Sequence, residues 1–308
     1  MIRTERLTKQ YRRTRALDGV DLNVPEGSVF GFVGPNGAGK TTTIKILATL
    51  LGPTGGEAYV GGASVNRNPA KVRQLIGYMP DFFGVYDDLR VEEYLDFYGA
   101  SHGLPPARRR KTADDLLELV DLGGKKGEYV DTLSRGMKQR LCLAQALIHD
   151  PAVLLLDEPA SGLDPRARVE LRELVKELRA MGKTILISSH ILAELAEMCT
   201  HLAIIDAGRI AVSGPVDEVM GRTQGGRVFT VKVLDDPERA ATIAAQAPGV
   251  RSVTASAGEL KVVFGGDDEE AAAFLAHLVR AGVRVVTLAE GNHRLEDVFL
   301  QVTRGDQG

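Results

Sequence analysis

The sequence predicts an α/β protein built on a largely parallel sheet, with a small α+β unit behind it. Three observations predict this. Apolar runs of strand length alternate with helix-periodic segments over residues 1 to about 220. A glycine-rich loop, Gly34-Pro-Asn-Gly-Ala-Gly39-Lys40-Thr41, stands between such a run and a helix. A polar break containing glycine, Gly221–Gly226, then opens a tail with its own rhythm.

In chain order, Ser28–Val33 is a short apolar strand that enters the glycine-rich turn. Lys40–Leu51 reads as a helix closed by Gly52-Pro53. From about 87 to 150 the alternation stops. Glu92–Gly99, Ala107–Val120 and Arg135–Ile148 read as helices with no strand between them, which predicts an all-helical insert. Arg108–Lys111, four consecutive cations, reads as a solvated helix face. Ala152–Leu156 and Thr184–Ser188 are continuous apolar runs of the kind buried on both faces of a parallel sheet. Between them Leu171, Leu174, Val175 and Leu178 recur at helical spacing, and Gly182 closes that helix. His201–Asp206 and Arg209–Ser213 flank Ala207-Gly208 as a hairpin.

The tail, residues 227–308, reads as strand Arg227–Leu234, helix Pro237–Gln246, strands Val250–Ser256 and Glu259–Phe264, helix Asp268–Ala281, strand Val283–Leu288 and a last helix Leu295–Thr303. The order β-α-β-β-α-β matches the ferredoxin-like pattern; an irregular α+β extension is the alternative. Domains are thus expected at 1–221, with the helical subdomain at about 87–150, and at 227–308.

Composition narrows the function classes. Of 308 residues, 44% are hydrophobic and 26% charged, which excludes a disordered chain. The net charge is −3, so no global basic charge draws the chain to nucleic acid, and no such partner is expected. Cys142 and Cys199 are too few for a disulfide framework or a zinc site and read as buried small hydrophobes. No apolar stretch approaches the roughly 18 residues of a spanning helix. Met1–Arg13 is polar and basic with no apolar stretch behind it, so no signal peptide is expected. A soluble, cytoplasmic chain is expected, with any membrane role exerted through a partner.

The chemistry starts at the GxxxxGK[ST] loop. Its glycines, Gly34, Gly37 and Gly39, let successive N–H groups around Asn36 point inward at phosphate oxygens, and the helix N-terminus adds partial positive charge. Lys40 supplies a charge for the outer phosphates, Thr41 a hydroxyl for Mg²⁺, and Thr42 a further phosphate contact. Val153-Leu-Leu-Leu-Asp157-Glu158 is an apolar strand that delivers two acids to the C-terminal edge of the sheet, where α/β folds bind ligands. Asp157 would hold Mg²⁺ through water, and Glu158 would polarise the attacking water.

With these motifs the chain resembles the ATPase subunit of an ATP-binding-cassette (ABC) transporter, over residues 1 to about 220. Further residues stand in the family's order. Tyr11 takes the place of an aromatic that stacks on adenine; its other reading is an ordinary strand aromatic. Leu133-Ser134-Arg135-Gly136-Met137 takes the place of the LSGGQ signature, with Ser134 and Gly136 kept, Arg135 for its first glycine and Met137 for its glutamine. Ser134 reads equally as a helix N-cap, and an anion would dock at the same place. Ser161-Gly162-Leu163-Asp164 matches the loop that crosses between subunits. His190 matches the histidine that senses the γ-phosphate, and a capping or core histidine is its other reading. Asp81, after Ile76-Gly-Tyr-Met-Pro80, stands where the family has glutamine. A carboxylate there is a Mg²⁺ ligand candidate, and a turn cap is the alternative.

The resemblance implies a P-loop ABC ATPase core with a helical insert. It implies ATP and Mg²⁺ as cofactors and a homodimer that sandwiches ATP between one chain's phosphate loop and the other's signature. It also implies a separate integral-membrane permease, with this chain peripheral on the cytoplasmic face of the cell membrane. Leu295-Glu-Asp-Val-Phe-Leu300 looks like the C-terminal helix of two-component exporters, which argues against an importer. ABC ATPases of translation or DNA repair usually carry tandem cassettes or a long coiled-coil insertion, and this sequence has neither. A tail that senses a ligand stays open as an added role.

Overall fold

The computed structural model describes residues 1–81, 84, 88–223, 227–256 and 258–290. The chain divides into two compact units, Met1–Val216 and Asp217–Gly308.

The first unit opens with β1 (Ile2–Tyr11) and β2 (Thr14–Val24), then β3 (Val29–Val33), α1 (Lys40–Leu47), β4 (Gly55–Val60), β5 (Ala63–Ser64), α2 (Pro69–Leu75) and β6 (Ile76–Met79). The helical insert holds α3 (Val91–Ser101), α4 (Pro106–Leu119) and α5 (Arg135–Leu147). After it come β7 (Val153–Leu156), α6 (Pro165–Ala180), β8 (Thr184–Ser189), α7 (Leu192–Ala196), β9 (His201–Asp206) and β10 (Arg209–Pro215). The expected apolar runs become the central strands. A six-stranded sheet has the order β10-β9-β3-β8-β7-β6, parallel except for β10. Every residue of β3, β7 and β8 is buried, as a parallel strand covered on both faces requires.

A second, antiparallel sheet of order β2-β1-β4-β5 lies outside the parallel expectation. Its strands hide from a period-of-two reading because the β1–β2 register shifts three times, between Thr4/Leu7, Leu7/Lys9 and Lys9/Gln10. Each shift interrupts the alternation of inward and outward side chains. Its inner residues, Ile2, Leu7, Leu22 and Val60 among them, share one core with Phe30, Ile44 and Leu155.

Helix α1 ends four residues before the expected Leu51. Thr49 takes a left-handed backbone, φ 62°, while the Thr49 and Leu50 N–H groups reach back to the Ile46 and Lys45 carbonyls. These two bonds close the helix in the Schellman manner, with threonine in the place glycine usually takes. The cation run lies on α4, where Arg108, Arg110 and Lys111 are exposed and Arg109 pairs with Asp96 at 2.7 Å.

Helix α8 (Val216–Thr223) starts at the last residue of the first unit, and the second unit continues with β11 (Arg227–Val233), α9 (Pro237–Ala244), β12 (Val250–Ser256), β13 (Glu259–Phe264), α10 (Asp268–Arg280) and β14 (Val285–Glu290). Its sheet has the order β12-β13-β11-β14 with every pair antiparallel. That is the ferredoxin-like arrangement, so the irregular alternative is set aside. Phe229, Phe264 and Phe274 pack with ring centroids 5.5–6.5 Å apart at its centre. One expectation is corrected: Gly221–Thr223 belong to α8 rather than to a linker. Val216, Val219 and Met220 keep helical spacing, Asp217 and Glu218 suit the first turn, and a glycine near a helix end costs only about 1 kcal/mol. The expected last helix, Leu295–Thr303, lies outside the described residues.

The insert is tied to the sheet through His149. Its Nε2 lies 2.9 Å from the Ile76 carbonyl oxygen, and its buried Nδ1 has no hydrogen-bond partner. The ring stacks on His102, with centroids 3.9 Å apart. Burial, then His102, holds the His149 imidazole below its ordinary value of 6.5; Lys183 adds to this, while the Ile76 bond and Asp150 oppose it. A lowered folded-state value means that the unfolded chain takes up the proton first. Stability is therefore untouched well above 6.5 and falls as pH drops through that value. The urea midpoint of the wild type should fall between about pH 7.5 and about pH 5.5 more steeply than that of His149→Asn. Parallel pH profiles for the two proteins would remove His149 as the cause.

Candidate active site

Parallel pairing brings four chain segments to one edge. Val33 pairs with Ser189, Leu156 with Ile187 and Met79 with Leu156, so β3, β8, β7 and β6 finish side by side. The loop Gly34–Gly39, then His190, then Asp157-Glu158, then Asp81 leave from those four ends.

The loop wraps the N-terminus of α1. Gly37 and Gly39 take φ 84° and 113°, conformations that side-chain-bearing residues rarely adopt. A Cβ on Gly39 would also stand 2.6 Å from Leu17 Cδ2 and 2.8 Å from the Ala16 carbonyl oxygen. Asn36 and Gly37 are exposed at the loop crest, and Thr41 and Thr42 are half-buried in the first turn of α1. Lys40 is buried, and its Nζ donates to the Gly34 and Pro35 carbonyls at 2.7 and 3.2 Å. The same ammonium pairs with Glu158 Oε1 at 3.2 Å.

Asp157 and Glu158 are held differently. Asp157 is 1% exposed, and its Oδ1 accepts from Ser188 at 2.7 Å and Thr41 at 3.2 Å. Its Oδ2 is buried with no hydrogen-bond partner. Burial raises the Asp157 carboxyl above its usual range; the two hydroxyls oppose that, while the charges of Asp81 and Glu158 add to it. Tyr78 is pushed up to about 12, by burial first and then by Asp157, Cys142 and Asp81. Asp81 is exposed, and its charge bears on Asp157. Glu158 has a left-handed backbone, φ 50°, a strained conformation for a non-glycine residue of the kind that clusters at functional sites. Its Oε2 lies 2.9 Å from His190 Nδ1.

An unpartnered carboxylate oxygen beside a threonine hydroxyl is a hard-oxygen donor set, which suits Mg²⁺. Among the described residues no three His, Cys, Asp or Glu side chains gather as a metal cage. Mg²⁺ needs no such cage, because it keeps waters and takes phosphate oxygens.

Ser134, Gly136 and Asp164 stand elsewhere, in a cavity of about 470 Å³ that no residue of the phosphate loop lines. Ser134 caps α5, accepting from the Met137 N–H at 3.3 Å, and Asp164 caps α6, accepting from the Ala167 N–H at 2.9 Å. Tyr11 is 44% exposed at the end of β1, with Lys9 Nζ 5.2 Å from its ring centroid. Cys142 is buried and its thiol raised to about 12 by burial, as expected of a small hydrophobe.

Sequence reasoning missed Ser188. Its Oγ donates to Asp157 and accepts the Glu158 N–H at 2.9 Å, so one hydroxyl orients both acids. The available signal was the switch from apolar to polar at Ser188-Ser189-His190, where β8 reaches the edge. Ser188→Ala should lower stability by about 1–3 kcal/mol, because Asp157 keeps a single hydroxyl partner and the Glu158 N–H loses its acceptor. Urea unfolding checks this, and an unchanged midpoint would show that the hydroxyl is dispensable.

Comparison with known proteins shows the family. The family model described as ABC transporter matches residues 17–161. A daunorubicin resistance ATP-binding protein of Streptomyces coeruleorubidus is 36% identical over 299 residues, covering 97% of this chain and 94% of that protein. A linearmycin resistance ATP-binding protein of Bacillus subtilis is 31% identical over 305 residues, covering 98% of each. A solved ATP-binding subunit of an ABC transporter superposes with a TM-score of 0.66 at 31% identity, over 72% of this chain and 92% of that one. A dimeric ATP-binding cassette holding ADP and Pi in a post-hydrolysis state gives 0.65 at 26% identity, over 70% of this chain and 99% of the other. Among the described residues no helix is long and apolar enough to cross a membrane. The chain belongs to the ATP-binding-cassette family and is an ABC transporter ATP-binding subunit, an ATPase.

Proposed function

We propose that this chain is the ATP-hydrolysing subunit of an exporter, and that two copies pair head to tail to drive a separate membrane permease. One observation carries the pairing. Each chain has one phosphate loop with its acids and one signature cavity, and the two lie apart. A second copy supplies what each half lacks. Export is supported by similarity along nearly the whole chain to drug-resistance subunits and to a Nod factor export ATP-binding protein of Ralstonia nicotianae, 36% identical over 310 residues.

In this reading Gly34, Asn36, Gly37, Gly39, Lys40 and Thr42 hold the ATP phosphates, and Tyr11 stacks on adenine. Ser134, Gly136 and Asp164 complete the pocket from the opposite chain. Thr41, Asp157 and Asp81 would hold Mg²⁺, which would neutralise phosphate charge there. Glu158 orients and polarises the attacking water as a general base. His190, against Glu158 Oε2 at 2.9 Å, steers that carboxylate and meets the γ-phosphate. The tail, 227–308, is an accessory unit that supports the pair, and the chain works on the cytoplasmic face of the membrane.

Glu158→Gln keeps the shape of the side chain and removes its basicity. ATPase activity should fall by at least about 100-fold while ATP binding persists, and an ATP-dependent dimer should accumulate on sizing. Near-normal turnover with no such dimer would sink the reading.

Asp81 has its own test. Asp81→Asn and Asp81→Ala should each raise the Mg²⁺ concentration for half-maximal ATPase several-fold, with ATP binding little changed. Equal Mg²⁺ dependence in all three proteins would leave Asp81 as a turn residue.

A further inference from the structure

The contact between Glu158 and His190 joins two segments that run past the ends of their strands. Glu158 leads into the loop that ends at Asp164 and α6, and His190 leads into α7. Ser188 ties the Glu158 N–H to β8. On the other side of the contact, the Ile191 N–H donates to Ser189 Oγ at 3.0 Å, and the chain then enters α7. Where His190 stands therefore depends on how α7 is held.

Two kinds of contact hold α7. Leu192 and Leu195 are buried, and a Cβ built on Gly31 of β3 would stand 3.1 Å from Leu195 Cδ1. Apolar burial of this kind is non-directional, so it keeps α7 on the sheet without fixing its heading. A helix of five residues also has few internal hydrogen bonds to hold its own course. Direction comes from α6. Arg168 Nη1 lies 2.7 Å from Glu194 Oε1, and one turn further on Arg172 pairs with Glu197. These pairs are unequal. Glu197 is exposed, and exposed pairs contribute little. Glu194 Oε1 is buried and accepts no hydrogen bond, so the Arg168 guanidinium is its balancing charge. The same guanidinium donates from Nε to the Leu163 carbonyl at 3.1 Å. One rigid fork thus grips both the loop after Glu158 and the helix after His190. Arg168 lines no part of the signature cavity.

We infer that Arg168 is a positioning residue: it clamps α7 to the loop after Glu158 and so keeps His190 on the Glu158 carboxylate. The inference rests on the roles proposed above for Glu158 and His190. Lysine at this position would keep the charge but lacks the fork that takes both partners.

The test measures single-turnover ATP hydrolysis by the full chain in excess over ATP, which keeps slow variants measurable. Arg168→Gln and Glu194→Gln should each lower the saturated rate about tenfold, with fluorescent ATP binding changed less than about twofold. Arg168→Lys should fall between them and the wild type. Lys176→Gln, which removes the surface pair with Glu173 on the same helix, should leave the rate unchanged. The deciding comparison places Arg168→Gln on His190→Ala. A residue that acts through His190 has nothing left to position there, so the second substitution should change the rate less than about twofold. A further tenfold fall on His190→Ala overturns the inference, because Arg168 would then act by another route. An unchanged rate in Arg168→Gln also overturns it. Thermal melting checks that each variant is folded. If Arg168→Gln is not, Arg168→Lys and Glu194→Gln carry the same comparison on His190→Ala. A wild-type rate in His190→Ala alone overturns the role proposed for His190, and this inference with it.

Discussion

In-register parallel pairing of β3, β8, β7 and β6 is the constraint on which the site depends. Neighbouring parallel strands that start in step also finish in step, about 4.8 Å apart. The residues just past each end are then neighbours whatever their distance along the chain. Thr41 and Asp157 are 116 positions apart and share a hydrogen bond. Glu158 and His190 are 32 apart and do the same. Apolar side chains fill both faces of these strands, so the polar groups gather where the apolar cover ends.

The electrostatics of that edge follow from burial. Lys40 and Glu158 are both largely withdrawn from water, and such charges are tolerable only when paired and hydrogen-bonded. Lys40 meets this with two carbonyls and a carboxylate, Glu158 with an ammonium and an imidazole. Asp157 differs, because one of its oxygens has hydroxyl partners and the other has neither a hydrogen bond nor an ion pair, whereas Glu158 Oε1, also without a hydrogen bond, has the Lys40 ammonium 3.2 Å away. A group left in that condition raises the cost of its own ionised form, and a divalent cation would relieve the cost. The strained Glu158 backbone belongs to the same picture: the chain turns sharply after β7 to keep both acids at the edge.

The signature cavity obeys a different logic. Its key hydroxyl and carboxylate are ordinary helix caps, and each satisfies an N–H that the first turn of a helix leaves free. Capping explains why Ser134 and Asp164 stand where they do with no reference to a ligand.

The sequence by itself determined which residues stand at the strand ends along the sheet edge, and most of the elements. A GxxxxGK[ST] loop between strand and helix, and Asp-Glu after four apolar residues, are local patterns with one dominant structural outcome. The helical insert and the β-α-β-β-α-β tail were legible for the same reason, since hydrophobic period and cap residues are written within each segment. Tertiary structure alone decided the rest. The antiparallel sheet was hidden because register shifts in β1 erase the alternation that marks a strand. The early end of α1 turned on a threonine adopting a left-handed backbone, which propensity does not foresee. Ser188 acquired its two partners, and Arg168 its pair with Glu194, from pairings between segments far apart in sequence. Local pattern sets what each segment becomes, whereas contacts across long separations depend on how the strands are ordered, and no short window of sequence contains that order.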